Sequence, residues 1–306
     1  MKRFFALSRT SHGVLDLATP AFCALLWGGR FPDWTVILLS IFTAFAVYTA
    51  IYALNDLVGM AVDREKFSKH ELNTGYSVEA SELRYPLARK ILSVKSGLLW
   101  MSFWFSLALA GSYFLNPTIV FILIAATLLE IVYCLLLKVT YLRTLVSGLV
   151  KASGPIAAVF VVDPSPSPLF LLLLLVWIFF WEIGGQNVPA DWNDTAEDKG
   201  INAKTIPIHF GVEKAGLIVL VTLTITVIAS AFLPLISPAP LGLPYILASL
   251  VIGFIFLLQP GFQLNKNRDG RYAAKLFDKA SYYPMAQFAL ISIILFVTTL
   301  ISQLLR

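Results

Sequence analysis

Two short stretches of the chain carry carboxylates and carboxamides at spacings that let them act together. The first holds Asn55, Asp56 and Asp63; the second holds Asp191, Asp194 and Asp198, with Gln186 and Asn187 just before it. Asn55 and Asp63 are eight residues apart, Asp56 and Asp63 are seven apart, and the second set runs i, i+3, i+7. On a helix each set forms one polar stripe. Carboxylates crowded together repel one another unless a cation lies between them. A ligand set of oxygen atoms, without His or Cys, suits a hard ion, and Mg²⁺ usually combines a few carboxylates with a substrate phosphate. Lys66, Lys69 and Lys204 flank the stripes and supply the positive charge that a phosphate takes.

These side chains need elements to position them, and the composition says which. The 306 residues are 58% hydrophobic and only 13% charged, with a mean hydropathy of +0.78. That balance excludes a disordered chain, a coiled coil and an ordinary water-soluble enzyme. Apolar runs fall near 13–29, 35–56, 94–115, 117–137, 143–162, 168–190, 213–235, 241–262 and 281–303. A membrane crossing takes about 20 residues of helix, so the expected fold is all-α and polytopic, with nine transmembrane helices arranged around a central chamber. Turn residues separate the runs at Gly28-Gly29, Asn116-Pro117, the Pro-Ser repeat of 164–168 and residues 237–240. The two acidic stripes lie four helices apart. Residues 1–306 therefore read as one domain made of two related four-helix halves and a ninth helix.

Charge placement gives an orientation. All Lys and Arg residues except Arg30 and Arg306 fall at the N-terminus, in the loops near 57–93, 138–142, 191–212 and 263–280, or within a few turns of them. Basic residues stay with the cytoplasm. The expected topology has a cytoplasmic N-terminus, an external C-terminus and both acidic stripes at the cytoplasmic face, in a plasma membrane of prokaryotic type. The net charge of +5 is thereby assigned to loops and not to nucleic acid. Residues 1–12 do not read as a signal peptide. Cys23 and Cys134 both sit in apolar runs, which argues against a disulfide framework or a Cys-based metal site. One Asp near a helix end is usually a cap or an interfacial residue. Five carboxylates and two Asn gathered on one membrane face read instead as a functional site.

Other polar residues lie within the expected spans. Glu130 and Lys151 each stand eight residues from a basic residue at the membrane edge, about 12 Å deep at 1.5 Å per residue. Charges at that depth normally face the bundle and pair. They read as a buried structural ion pair, or alternatively as one wall of an acceptor pocket. Arg9, His12 and Asp16 surround the start of the first span, with Arg9 either facing the pocket or snorkelling to the surface. Glu182 precedes the second stripe and lines the expected chamber.

These residues resemble the motifs of the UbiA superfamily of intramembrane prenyltransferases. The family's first motif runs roughly Asn-Asp-x-x-Asp-x-x-x-Asp. Here Asn55, Asp56 and Asp63 match, and Gly59 stands where the middle Asp is found. Asp191, Asp194 and Asp198 are similar to the second motif, Asp-x-x-Asp-x-x-x-Asp, and Gly200 with Lys204-Thr205-Ile206-Pro207 and Phe210-Gly211 is similar to the pattern that follows it. Tyr133-Cys134 through Lys138 looks like the family's Tyr-Ser segment ending in Lys. The resemblance spans the whole chain. It implies two Mg²⁺ ions held by Asn55, Asp56, Asp63, Asp191, Asp194 and Asp198, with Asp63, Asp191 and Asp198 the catalytic members. It implies a polyprenyl diphosphate donor met by Lys69, Lys138 and Lys204, and a small aromatic or lipid-precursor acceptor in a pocket near Arg9, Glu130, Tyr133, Lys151 and Asn187. The ions would offset charge on the leaving diphosphate, and the acceptor would capture the allylic cation. The loops at 64–93 and 199–212 would act as lids that keep water out, and Tyr48, Tyr52, Tyr133 and Trp181 are the aromatic faces on offer to the cation. Two other readings remain at this stage: a cation-translocating protein that uses the acidic stripes, and a family member weakened by Gly59. The nearly uncharged external loops argue against the first, and the retained Asp56 and Asp63 against the second.

Overall fold

Long apolar stretches interrupted only by Gly, Pro and Ser leave the backbone one way to satisfy its own hydrogen bonds in lipid, which is to stay helical. The computed structural model describes residues 2–69, 85–239 and 241–304, and every regular element among them is helical. Eight helical segments are long and apolar enough to cross a membrane: Trp34–Lys66, Val94–Leu115, Pro117–Lys138, Arg143–Val162, Pro168–Asn193, Ile206–Ile236, Gly242–Asn267 and Gly270–Ile301. The expected span at 13–29 is built as two shorter helices, α2 (Thr10–Asp16) and α3 (Ala18–Gly28), after the short α1 (Lys2–Leu7). Large apolar side chains such as Leu38, Leu99, Phe121, Leu172, Leu217 and Phe296 point outward. That surface is untenable in water and ordinary in lipid. The chain is a multi-pass membrane protein.

Local signals set the boundaries. Asn116 caps the N-terminus of α6 (Pro117–Leu135) by accepting from the Thr118 N–H at 2.9 Å, and Pro117 occupies the first turn. Ser93 caps α5 (Val94–Leu115). Gly29 ends α3 in the left-handed region at φ 62°. The helix α4 (Trp34–Lys69) runs well past the expected end near residue 56. It carries Asn55 and Asp56 at the end of the apolar stretch, and Gly59 and Asp63 beyond it, on continuous helical turns. Residues 70–84 of the expected lid and the side chain of Lys69 lie outside the described residues.

The second acidic segment departs from a regular helix. After α8 (Pro168–Trp181) the chain forms a π-helical turn, Glu182–Asn187, then α9 (Val188–Asn193) and α10 (Thr195–Gly200), with a break at Asp194 (φ −90°, ψ 9°). Asp191, Asp194 and Asp198 therefore do not share one unbroken α-helical stripe. The remaining elements are α7 (Arg143–Val162), α11 (Ile206–Ile236, kinked at Gly211), α12 (Gly242–Gly253), a second π turn Phe254–Leu258, α13 (Gln259–Asn267) and α14 (Gly270–Leu304).

The main core gathers around Phe22, Trp177, Trp181, Leu223 and Tyr283, from α3, α8, α11 and α14. Small residues let helices approach one another. A methyl group on Gly111 would overlap Thr43, and one on Gly184 would overlap Thr222. The loops sort into two ends. At one end Trp27 donates to Asp163 at 2.8 Å, Asn116 donates to the Phe160 carbonyl at 2.9 Å, and the Ser237 hydroxyl donates to the Leu26 carbonyl. At the other, Lys138 pairs with Glu65, the Lys204 N–H donates to the Leu137 carbonyl at 2.7 Å, and Lys66 meets Asp198. The loops assigned to a common side by charge are thus joined to one another.

Candidate active site

The second end of the bundle is where chemistry-bearing side chains collect, and four layers of contacts build it. The outermost begins at Arg9, whose backbone sits in the left-handed region (φ 43°) between α1 and α2. That placement is unusual for a residue with a Cβ. It turns the guanidinium toward the first stripe, where it donates to Asn55 Oδ1 and to Asp56 Oδ1 at 3.4 Å each. The other end of the Asn55 amide donates to Glu130 Oε1 at 2.6 Å, with Cys134 Sγ 3.4 Å away. Asn55 thus bridges a base on the N-terminal segment and an acid on α6. Asp56 is buried and Asp63 half-buried. A Cβ on Gly59 would lie 3.4 Å from Asp63 Oδ2, so these two positions share a face, as their spacing requires.

The second layer is the acid segment after α8. Arg143, at the start of α7, donates to Asp191 Oδ1 at 3.2 Å and lies over the Tyr133 ring, 4.3 Å from its centroid. Asn187 donates to the Tyr133 hydroxyl at 3.0 Å and accepts from Thr144 at 2.8 Å. Lys66, one turn beyond Asp63 on α4, reaches Asp198 Oδ1 at 2.6 Å. This contact brings the two acidic segments together. Asp194 accepts from the Asn193 amide at 3.2 Å. Burial pushes the Asp198 carboxyl above the ordinary range and the Lys66 ammonium pulls it back down.

A third layer lies deeper. Asp16 accepts from the Tyr52 hydroxyl at 2.5 Å and from Lys151 Nζ at 2.7 Å, with His12 Nε2 3.9 Å away. Beside it, as the fourth, Glu182 accepts from Ser147 at 2.6 Å. The ion pair expected between Glu130 and Lys151 is not formed: Lys151 is on Asp16 and Glu130 is on Asn55. Glu130 on α6 and Lys151 on α7 turn their side chains to different neighbours. Three of the four rings expected to face a carbocation already face a resident cation. Arg9 is 5.7 Å from the Tyr52 centroid, Lys151 is 5.5 Å from that of Trp181, and Arg143 is over Tyr133.

Of the lysines expected on a phosphate, Lys138 pairs with Glu65 and Lys204 is exposed, its main chain tying the 199–205 loop to Leu137. Among the described residues, Lys66 is the expected lysine that reaches the second acidic segment. In the sequence Arg143 reads only as a basic residue at a membrane edge. Its partner lies 48 residues away, and no local pattern announces that pairing.

Among the described residues, no three His, Cys, Asp or Glu side chains come close enough together to hold an ion by themselves. The donor set nevertheless fits Mg²⁺, which keeps several waters and takes only one or two carboxylates alongside phosphate oxygens. The buried Asp191 Oδ2 accepts no hydrogen bond, so this carboxylate has an acceptor position to spare for a ligand.

Several solved structures share this fold. A UbiA homologue from Archaeoglobus fulgidus bound to GPP and Mg²⁺ superimposes with a TM-score of 0.68 at 18% identity, covering 95% of this chain and 99% of that one. The apo structure of a UbiA homologue from Aeropyrum pernix K1 gives 0.71 at 15% identity, over 92% and 98%. A structure reported for digeranylgeranylglyceryl phosphate synthase in membranes gives 0.67 at 17% identity, over 95% and 97%. At these identities the likeness is one of fold. No curated protein sequence matches the chain. The family model described as the UbiA prenyltransferase family matches residues 17–299.

Proposed function

The chain belongs to the UbiA prenyltransferase family, and from that premise we propose that it moves a polyprenyl group from its diphosphate to a small acceptor inside the membrane. The acceptor is an aromatic quinone precursor or a lipid precursor. The observation that carries this reading is the pairing of Asp191 and Asp198 with Arg143 and Lys66, at one end of an otherwise apolar bundle. Acid and base alternate there as a metal–diphosphate demands, and the apolar interior suits a hydrocarbon tail. The archaeal homologue solved with GPP and Mg²⁺ supports the same substrate class.

In this reading Asn55, Asp56, Asp63, Asp191, Asp194 and Asp198 hold two Mg²⁺ ions, with Asp63, Asp191 and Asp198 the members on which turnover depends most. Bound Mg²⁺ supplies positive charge that stabilises the departing diphosphate. The protein's own groups do the rest. Tyr133 and Asn187 fix each other and wall the site beside Arg143. Asn55, held between Arg9 and Glu130, sets the side chains that an acceptor meets. The surrounding helices exclude water, which would otherwise capture an allylic cation as an alcohol.

Purified protein supplied with radiolabelled prenyl diphosphates and a panel of acceptors is expected to form a prenylated product only with divalent metal. Absence of product with every acceptor, or an unchanged rate in EDTA, overturns the reading. We also infer a cytoplasmic N-terminus and a site open to the cytoplasm, because the basic segments near 57–69, 138–142 and 191–212 join at the acidic end. Single cysteines near residue 200 should be protected from impermeant reagents in whole cells, and those near 165 and 238 labelled. The reverse pattern overturns the orientation.

A further inference from the structure

Two base–acid pairs in the site come from separate elements and are nearly removed from solvent. Lys66 on α4 holds Asp198 on α10, with side chains 8% and 2% exposed; Arg143 on α7 holds Asp191 on α9, with side chains 7% and 10% exposed. The second pair is incompletely satisfied. Asp191 Oδ2 has no donor and Arg143 Nε has no acceptor, and both atoms are buried. Buried polar atoms are nearly always matched, because leaving them unmatched is costly. A single ion pair that lacks a positive partner on its acid and a negative partner on its base is complementary to a ligand carrying both charges. A divalent cation bound to a phosphate has that character.

We propose that Lys66 and Arg143 are exchange ligands: each sits on a carboxylate that the cation claims, and each passes to a phosphate oxygen when cation and diphosphate arrive together. The inference rests on the metal and diphosphate assignment made above and adds an order to it. A cation alone competes with Lys66 for the same oxygen, Asp198 Oδ1, and leaves a buried ammonium without its partner, which is unfavourable. A diphosphate alone meets bases already engaged by carboxylates. Bound together, each ligand frees the groups the other needs, so the two bind with positive coupling, and by linkage the coupling is mutual. Lys66 and Arg143 are then positioning residues for the metal as well as ligands of the phosphate.

The test uses purified full-length protein with Mn²⁺ as the spectroscopic metal and inorganic pyrophosphate as the anion. Wild type is expected to bind Mn²⁺ weakly by itself. Lys66→Gln is expected to bind Mn²⁺ alone at least about fivefold more tightly, in line with ordinary coupling factors, and to bind pyrophosphate less tightly at saturating Mn²⁺. Arg143→Gln should show the same two shifts independently, which covers the case in which one variant fails to fold. Thermal melting with and without Mn²⁺ provides a second readout, with a larger Mn²⁺-induced rise in Tm for the variants than for wild type. If both variants bind Mn²⁺ no better than wild type, the exchange is overturned while the metal site stands. If wild type takes up no Mn²⁺ with or without pyrophosphate, the exchange and the metal-site reading fall together.

Discussion

Asp198→Ala should lower prenyl transfer by a factor of about 10²–10³, the range found when one preorganised electrostatic group is removed from an active site. Asp191→Ala should do the same. Asp198 is buried at 1% exposure and Asp191 at 8%, so neither loss is covered by water moving in freely. Each deletion removes an oxygen proposed to bind a cation and leaves a buried Lys66 or Arg143 without its partner. The second effect destabilises the fold by about 3–5 kcal/mol when a buried pair is broken, so activity must be compared with melting temperature. Asp198→Asn and Asp191→Asn keep the shape and much of the hydrogen bonding. They are expected to lose less stability than the alanine variants and still lose most of the turnover. Full initial rates in either asparagine variant, measured with excess Mg²⁺, would exclude the second segment as a metal site.

The first stripe predicts a different pair of results, because it departs from the family motif at Gly59. Asp63→Ala should abolish transfer. Gly59→Asp should leave activity measurable and shift the Mg²⁺ requirement. The geometry supports this contrast. A Cβ at position 59 meets Asp63 Oδ2 at 3.4 Å, an ordinary contact, so a side chain can start there beside the existing carboxylate. Two carboxylates that close repel and bind a cation more strongly. Gly inside a helix costs roughly 1 kcal/mol relative to Ala, and α4 is helical through this position, so the substitution should not weaken the helix. Water is the simplest substitute for the ligand that Gly59 lacks, since Mg²⁺ commonly retains several. A Mg²⁺ titration of initial rate for wild type and both variants decides the matter. A near-normal rate in Asp63→Ala would remove residues 55–63 from the metal site.

Much of this architecture was legible in the chain because membrane spans are written in composition. The apolar runs are long, their ends carry Asn116-Pro117 or Gly29, and the basic residues alternate with them, so loop sides followed directly. Eight expected spans are long helices. The first is divided at Leu17, where Pro20 has no N–H for the Asp16 carbonyl, which accepts from the Tyr48 hydroxyl instead. The acid residues were found for the same reason, since charge inside an apolar stretch stands out. Their partners were not. Asp16 and Lys151 are separated by 135 residues, and Asn55 and Glu130 by 75. Sequence gave depth along each helix, and depth alone suggested joining Glu130 to Lys151. Rotation of each helix about its axis decides who meets whom, and rotation is fixed by packing that no local spacing records. Arg143 was missed on the same account: a basic residue at the edge of a span looks like any other until the neighbouring helix brings Asp191 to it.

The π turn at Glu182–Asn187 gives the length of one short stretch an importance that its composition hides. Its side chains are fastened on several sides: Glu182 to Ser147, Gln186 to the Phe277 carbonyl and Ser281, and Asn187 to Thr144 and Tyr133. A π turn holds one residue more than the α-helical turn it replaces. Removing any one residue between Trp181 and Asp191 would let the helix run on regularly. The bulge absorbs that one residue, so Asp191 would keep its face, while the widened turn that aims Glu182, Gln186 and Asn187 at their partners would be lost. A second deletion, with no bulge left to absorb it, would rotate everything downstream by about 100° and carry Asp191 off the face that Arg143 occupies. A deletion in the Pro-Ser linker at 164–167 would be absorbed by the loop. For this segment, then, selection acts on a count of residues as well as on their identity.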